Sequence, residues 1–256
     1  MLRGPRVSAC MVLYNSGSEA LEAARCVMGS TVPVDLHIVD NASKDGMLRV
    51  LRGEFPQASF HALERNIGYG SANNVVLEHI RSEYHLILNP DITFEPDLLE
   101  RMVAFMDSHP DVGILTPRLL FSDGTEQFVP RMEPTVRRLM GGRLGRILPG
   151  ANQWRDEYTL RSEDTSGPLR VQIASGCFML IRTHLFFALK GFDERFFLYL
   201  EDTDLSHRAA LKTTILYHPD FEVTHGWHRD SAHQLKAGLR HLCSAVRYFH
   251  KWGWRW

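Results

Sequence analysis

Tyr84-His85-Leu86-Ile87-Leu88-Asn89-Pro90-Asp91 is an apolar run that stops abruptly at an amide, a proline and a carboxylate. Five residues of this kind read as a buried central strand, because proline cannot donate to a ladder and so ends it. Two earlier runs end in the same way. Val7 to Tyr14 closes on Asn15, and Leu36 to Val39 closes on Asp40-Asn41. Between and after the runs, helical patterning is expected at roughly 16–29, 43–54 and 69–81, with Ser43 as the cap of the second helix. Strands alternating with helices predict βα units on a mainly parallel sheet. Ligands of such sheets bind beyond the carboxyl ends of the strands, so three polar strand ends mark one expected site.

The 256 residues suffice for one α/β domain with embellishments. A hydrophobic fraction of 44% with 23% charged residues is that of an ordinary globular chain. The formal charge of -1, from 29 basic and 30 acidic residues, argues against nucleic acid as a partner. Cys10, Cys26, Cys177 and Cys243 form no C-x-x-C pair, which fits a reduced, cytoplasmic setting. No stretch approaches the roughly 20 apolar residues of a spanning helix, and no secretory leader is read. The segment 122–168 breaks the βα rhythm with Pro130, Pro134, Pro149, Pro168 and clustered glycines, so an irregular, partly mobile excursion is expected. Order returns at Val171 to Arg182, then at Gly191-Phe192-Asp193-Glu194 and a helix from near Glu201.

Each candidate residue has a functional and a plain structural reading. Asp40 can accept hydrogen bonds from a nucleobase or ribose, or serve a turn. Asn66-Ile67-Gly68-Tyr69-Gly70 can offer free N–H groups to an anion, or be a loop entering a helix; the spacing of a dinucleotide fingerprint is missing. Asp91 can hold a divalent cation that also takes diphosphate oxygens, or open the next helix. Glu201, Asp202 and Asp204 follow the apolar Phe196 to Leu200. Acids at a helix start are often caps, and Asp204 suits that role because it can pair with Arg208. Asp202, nearer the aromatic run and beside Glu201, suits a general base. His225 is structural, or completes a cation site with Asp91, where imidazole favours Mn over Mg.

Together these segments resemble the family-2 glycosyltransferases of the GT-A fold, particularly bacterial rhamnosyltransferase-like members. The likeness covers roughly residues 6 to 231 and rests on Val12-Leu13-Tyr14-Asn15, Val39-Asp40-Asn41-Ala42-Ser43, Asn66 to Gly70 and Leu88-Asn89-Pro90-Asp91. It continues in Ser175 to Arg182, Gly191 to Glu194, Phe197 to Leu205, and His225 with Ser231.

The resemblance implies a three-layer fold with a GT-A domain over 1–230. Its nucleotide-binding half is 1–117 and its acceptor-binding and catalytic half 118–230, followed by an amphipathic helix and Trp-rich tail at 231–256. It implies an inverting transfer, with dTDP-L-rhamnose favoured over UDP-sugars, to a lipid-linked glycan in cell-surface polysaccharide synthesis. Tyr14, Asn15, Asp40, Asn66, Gly68, Asn89, Asp91 and His225 would hold the donor. Gly176, Glu201 and Trp227 would face the acceptor, Asp202 would be the base, and Asp91 with His225 would hold Mg or Mn. Asn89 replaces the first acid of the D-x-D motif, which leaves one carboxylate there. A non-catalytic nucleotide- or glycan-binding subunit of the same fold is the competing expectation.

Two segments suit the inner face of the cytoplasmic membrane. Leu235, Leu239, Leu242, Val246 and Phe249 recur at helical spacing before Trp252, Trp254 and Trp256, while 134–150 mixes arginines with apolar residues. The first stripe can equally pack on the domain.

Overall fold

The computed structural model describes residues 5–127, 131–144, 151–160, 163–226 and 234–256. Among the described residues nine strands form one sheet: β1 (Val7–Leu13), β2 (Val34–Asp40), β3 (Ser59–Ala62), β4 (Tyr84–Leu88), β5 (Ile92–Thr93), β6 (Val112–Leu120), β7 (Leu169–Arg170), β8 (Phe178–Arg182) and β9 (Thr214–His225). The helices are α1 (Glu19–Met28), α2 (Met47–Glu54), α3 (Tyr69–Asn74), α4 (Leu98–Ser108), α5 (Val136–Leu144), α6 (Ala151–Tyr158), α7 (Thr183–Ala188), α8 (Glu201–Ala210) and α9 (Gln234–Trp252).

The sheet order is β3-β2-β1-β4-β8-β6-β9-β5, with β7 beside β9. β1 pairs in parallel with β2 on one side and β4 on the other, and all seven of its residues are buried. Apolar residues cover both of its faces, which is why its sequence, Ser8 apart, is apolar throughout rather than alternating. β8 runs antiparallel between β4 and β6, and β6 pairs in parallel with β9. The β6–β9 register shifts between Pro117 and Arg118, where proline has no N–H to give.

Apolar clusters cover both faces of the sheet, which makes three layers. One cluster joins β1 and β4 to α1 and α4 through residues such as Ala20, Ala24, Leu99 and Met102. The other joins the opposite face to α7 and α8 through Phe186, Leu205 and Ala209. A third, of Phe196, Leu200, Ala245, Tyr248 and Phe249, seats α9 against the start of α8.

Three local expectations need correction. Ser43 does not cap α2, which begins at Met47 after a left-handed Gly46; its hydroxyl accepts the Asn15 N–H instead. α3 stops at Asn74, short of residue 81, because Asn74 turns its amide to the 191–192 turn: Nδ2 donates to Phe192 O (2.9 Å) and Oδ1 accepts Phe192 N–H (2.8 Å). The chain beyond continues in i→i−3 bonds at Val76 and Leu77. Segment 122–168 is not wholly irregular, since it contains α5 and α6. Pro134-Thr135 is a helix start rather than a break, with the Thr135 hydroxyl accepting the Arg138 N–H at 3.2 Å.

Asp204 ties α9 to the body. Fully buried, it accepts from Arg208 Nε (2.8 Å), Lys251 Nζ (2.5 Å) and Trp252 Nε1 (2.8 Å), so the expected Arg208 pair is one part of a larger hub. Removing one member of a buried charge network strands the others and costs about 3–5 kcal/mol. Asp204→Ala should lower the urea-unfolding free energy by about that amount. An unchanged urea midpoint would exclude the hub as the tether.

Candidate active site

A cleft of about 820 Å³ opens beyond the carboxyl ends of β1, β2 and β4. Tyr14, Asn15, Asn66, Gly68, Asn89, Asp91, Gly176, Glu201, Asp202 and His225 all line it, so residues up to 211 positions apart in sequence share one wall. The strand ends are laced together first. Asn15, at φ 52°, accepts the Lys44 N–H through Oδ1 at 2.8 Å and donates its own N–H to Ser43. Asp40 is buried, and its Oδ1 accepts the Ser43 N–H at 3.0 Å. It stands behind the wall that its neighbour Asn41 lines.

Asn41 places the 66–68 loop. Its Nδ2 donates to Asn66 Oδ1 (3.1 Å) and Gly68 O (3.2 Å), while its Oδ1 accepts the Ile67 N–H (2.9 Å). Gly68 has φ 95°, and a Cβ there would stand 2.4 Å from Phe197 O. Tyr69 then donates its N–H to that same Phe197 carbonyl at 3.0 Å. Only glycine lets the loop after β3 touch the approach to α8, which joins the two halves of the cleft.

The second corner is set by β5 and β9, whose pairing aligns Ile92 with His225. Gly226 N–H donates to Asp91 O at 2.8 Å. His225 Nε2 lies 3.3 Å from Asp91 Oδ2 and 3.4 Å from Asn89 Nδ2, while its Nδ1 faces Gln127 Oε1 at 2.8 Å. Burial alone would lower the proton affinity of His225, but hydrogen bonding to Asp91 and to Cys177 outweighs it and pushes the imidazole up to about 10.

A divalent cation fits this donor set. Asp91 supplies a carboxylate and His225 an imidazole that would release its Nε2 proton to take the ion, with Gln127 on its Nδ1 as the outer contact that aims Nε2 inward. Among the described residues no third His, Cys, Asp or Glu completes a ligand set with them, so other positions around such an ion would fall to diphosphate oxygens and water. The Asn89 amide nitrogen already faces His225.

The third corner is the N-terminus of α8. Tyr199 (φ 69°) and Leu200 (φ 63°) are consecutive left-handed residues, a costly conformation that clusters at functional sites. The turn they form delivers Glu201 and Asp202 into the cleft. Asp202 Oδ2 accepts the Gly176 N–H at 3.0 Å, and Oδ1 accepts the Thr203 N–H at 2.7 Å. Gly176 must be small here: a Cβ would lie 3.3 Å from the Asp202 Cβ. Tyr69 Oη donates to Gly176 O at 2.8 Å and holds the opposite side of that residue. Glu201 is 6% exposed and its Oε2 has no hydrogen-bond partner. Burial, then the charge of Asp202, pushes it up to about 8.

Trp227 and Ser231 lie outside the described residues. The cleft also contains residues that the sequence did not single out for the site. Asn41 was visible as part of a polar strand end, but its partners were not. Gln127 and Arg131 fall in the proline-rich excursion, where no periodic pattern points to a site. Arg131 lies over the Tyr158 ring, 5.9 Å from its centroid, with its Nε buried and without a hydrogen-bond partner. Burial would lower its pKa, yet Tyr158 and Asp202 outweigh this and raise it.

Comparison with known proteins agrees with the fold and extends it. Residues 8–187 match the family model described as glycosyl transferase family 2. The N-acetylglucosaminyl-diphospho-decaprenol L-rhamnosyltransferase of Mycobacterium tuberculosis is 28% identical over 241 residues, covering 87% of this chain and 78% of that protein. The rhamnosyltransferase WbbL of Escherichia coli is 27% identical over 192 residues, 71% of this chain and 69% of that one. Among solved structures, a mannosyltransferase from Pyrobaculum calidifontis in complex with GDP-Man and Mn2+ superposes with a TM-score of 0.64 at 18% identity. That match covers 96% of this chain, which spans 65% of the mannosyltransferase. The sheet order, the GT-A likeness and the family match over most of the chain lead to one assignment: the chain belongs to glycosyl transferase family 2.

Proposed function

We propose that the chain transfers L-rhamnose from dTDP-L-rhamnose, with inversion, to a hydroxyl of a lipid-linked glycan in cell-surface polysaccharide synthesis. The observation that carries the transferase reading is the carboxylate of Asp202. It is presented to an 820 Å³ cleft and oriented by the Gly176 and Thr203 N–H groups, across from the Asp91–His225 corner. The names of the two rhamnosyltransferase relatives support the sugar, and that of the Mycobacterium tuberculosis relative supports the lipid-linked acceptor.

In this reading 1–117 binds the nucleotide and 118–230 the acceptor, with 231–256 as an appended element. Tyr14, Asn15, Asn66 and Gly68 line the nucleotide side. Asp40, with Oδ1 committed to Ser43, would meet the base through its other oxygen. Gly176, Glu201 and Trp227 belong to the acceptor side. Asp202 takes the proton of the acceptor hydroxyl as that oxygen bonds to the anomeric carbon. The bond from that carbon to the diphosphate breaks on the opposite face. Asp91 and His225, with Asn89 beside them, hold the diphosphate end, and a bound Mn or Mg there would neutralise the charge that develops on the leaving group.

Three outcomes test this. Asp202→Asn should lower kcat by about 10²–10⁴ while nucleotide binding is kept, because general-base catalysis contributes that much. Release of dTDP from dTDP-L-rhamnose reads it, and equal turnover in both proteins would remove Asp202 from the base role.

In thermal shift, dTDP with Mn should stabilise the wild type more than dTDP alone, since a ligand bound only by the folded state raises stability. Asp91→Ala should erase that increment. A stronger response to UDP than to dTDP would overturn the donor.

Glu201 sets a pH dependence of stability. Its ordinary pKa of 4.5 rises to about 8 on folding, so the folded chain keeps a proton there that the unfolded chain has released. Its contribution is whole below pH 4.5, falls as pH rises to about 8 and is level above. Glu201→Gln should therefore be increasingly more stable than wild type across that interval. A constant difference in Tm from pH 5 to 9 would refute it.

A further inference from the structure

Helix α9 has two faces of different kinds. Ser244, Ala245, Tyr248 and Phe249 are buried against the body. Leu239, Leu242 and Val246, spaced three and four residues apart, are 64%, 53% and 46% exposed. The predicted stripe is therefore divided, since Phe249 packs inward while these three do not; the Leu235 side chain lies outside the described set. Between α9 and α5 runs an apolar groove of about 370 Å³, walled by Leu139, Met140, Leu242, Val246, Phe249 and Trp254. No acid lines it among the described residues. Its size falls within the range of about 300–1,000 Å³ that small-molecule sites occupy.

The groove is not isolated. Leu139 and His241 line both it and the active-site cleft, so the two adjoin. On the cleft side of this junction stand Arg138 and Arg240, the latter with its guanidinium 4.9 Å from the centre of the Phe197 ring. The carboxylate of Asp202 and the two cations therefore line the cleft, and the apolar trough adjoins it beside those cations. That arrangement is complementary to a molecule with a hydroxylated sugar, an anionic linker and a hydrocarbon chain, in that sequence. A bilayer surface or a second copy of the chain would need the apolar face but not its junction with the cleft.

We propose that this groove binds the first isoprenoid units of a polyprenyl-diphosphate-linked sugar acceptor, with the diphosphate at Arg138 and Arg240 and the sugar at Asp202. The proposal rests on the reading of Asp202 as the acceptor-side base, but its binding step can be measured without turnover. Trp254 in the groove wall is a built-in fluorescence reporter, and Trp254→Phe identifies its share of the signal. Detergent-free titration with farnesyl diphosphate should show binding at least about tenfold tighter than ethyl diphosphate, since several buried methylenes suffice for that ratio. Leu242→Asp and Val246→Asp, both at exposed positions, should abolish the ratio while the thermal shift given by dTDP stays as in the wild type.

Equal affinity of the two diphosphates for the wild type would overturn the proposal, as would variants that keep the ratio. Phosphatidylglycerol vesicles free of prenyl phosphate form a second arm. If they bind the wild type and Leu242→Asp abolishes only that binding, the face is a bilayer contact and the proposal fails. Concentration-dependent dimerisation lost in Leu242→Asp, with no preference for the farnesyl chain, would likewise assign the face to a second copy. Failure of the transferase reading looks different: no dTDP release with any acceptor, while the farnesyl preference persists.

Discussion

A strand buried along its whole length must find all its backbone partners in its neighbours, and β1 finds them in β2 and β4. Much of the site depends on that constraint. Because the three strands are parallel and in register, their carboxyl ends reach the surface together. The residues that end them, Asn15, Asp40-Asn41 and Asn89 to Asp91, are polar because they can no longer be served by the ladder. Their amides and carboxylates then bond to one another and to the 66–68 loop rather than to solvent alone. Half of the cleft wall is thus a consequence of how the parallel strands terminate.

The other half is attached at two points of close approach. Gly68 meets the Phe197 carbonyl and Gly176 meets Asp202, and in both places a side chain would displace the contact. Between those points Tyr199 and Leu200 hold left-handed backbone conformations, which the surrounding packing stabilises: Leu200 is buried in the cluster that also seats α9. Asp204, two residues beyond Asp202, pins α8 to α9 through Lys251 and Trp252. The same helix therefore presents a carboxylate to the cleft at one position and anchors the C-terminal helix at another. This coupling places the apolar groove of α9 at the mouth of the cleft.

Electrostatics distinguishes the acids that stand together in sequence. Asp202 is solvated by two N–H donors, Glu201 is buried without a partner for one oxygen, and Asp204 is neutralised by two cations. Three neighbouring carboxylates thus have three environments. The helical turn sets this, because positions on α8 rotate by about 100° per residue, so Glu201, Asp202 and Asp204 leave the helix in three different directions. At the opposite corner, the single carboxylate of Asp91 is joined by His225, whose orientation depends on Gln127.

By itself the sequence determined the strand-helix rhythm, the polar strand ends, the start of α8, the Asp204–Arg208 pair and the family. All but the family are properties of local composition and spacing, which hydrophobic period or turn chemistry reports directly; the family follows from the resemblance of the motifs in their order. Only the tertiary structure decided that Ser43 serves Asn15 instead of capping α2, that Asn74 ends α3 to clamp Phe192, that α5 and α6 occupy the excursion, and that Gln127 and Arg131 reach the site. It also decided which side chains of the α9 stripe are buried and which stay exposed. Ser43, Asn74 and Gln127 find their partners 28, 118 and 98 residues away. Such partners compete with local preferences at an energy of one or two hydrogen bonds, and that competition is resolved only when the chain closes on itself.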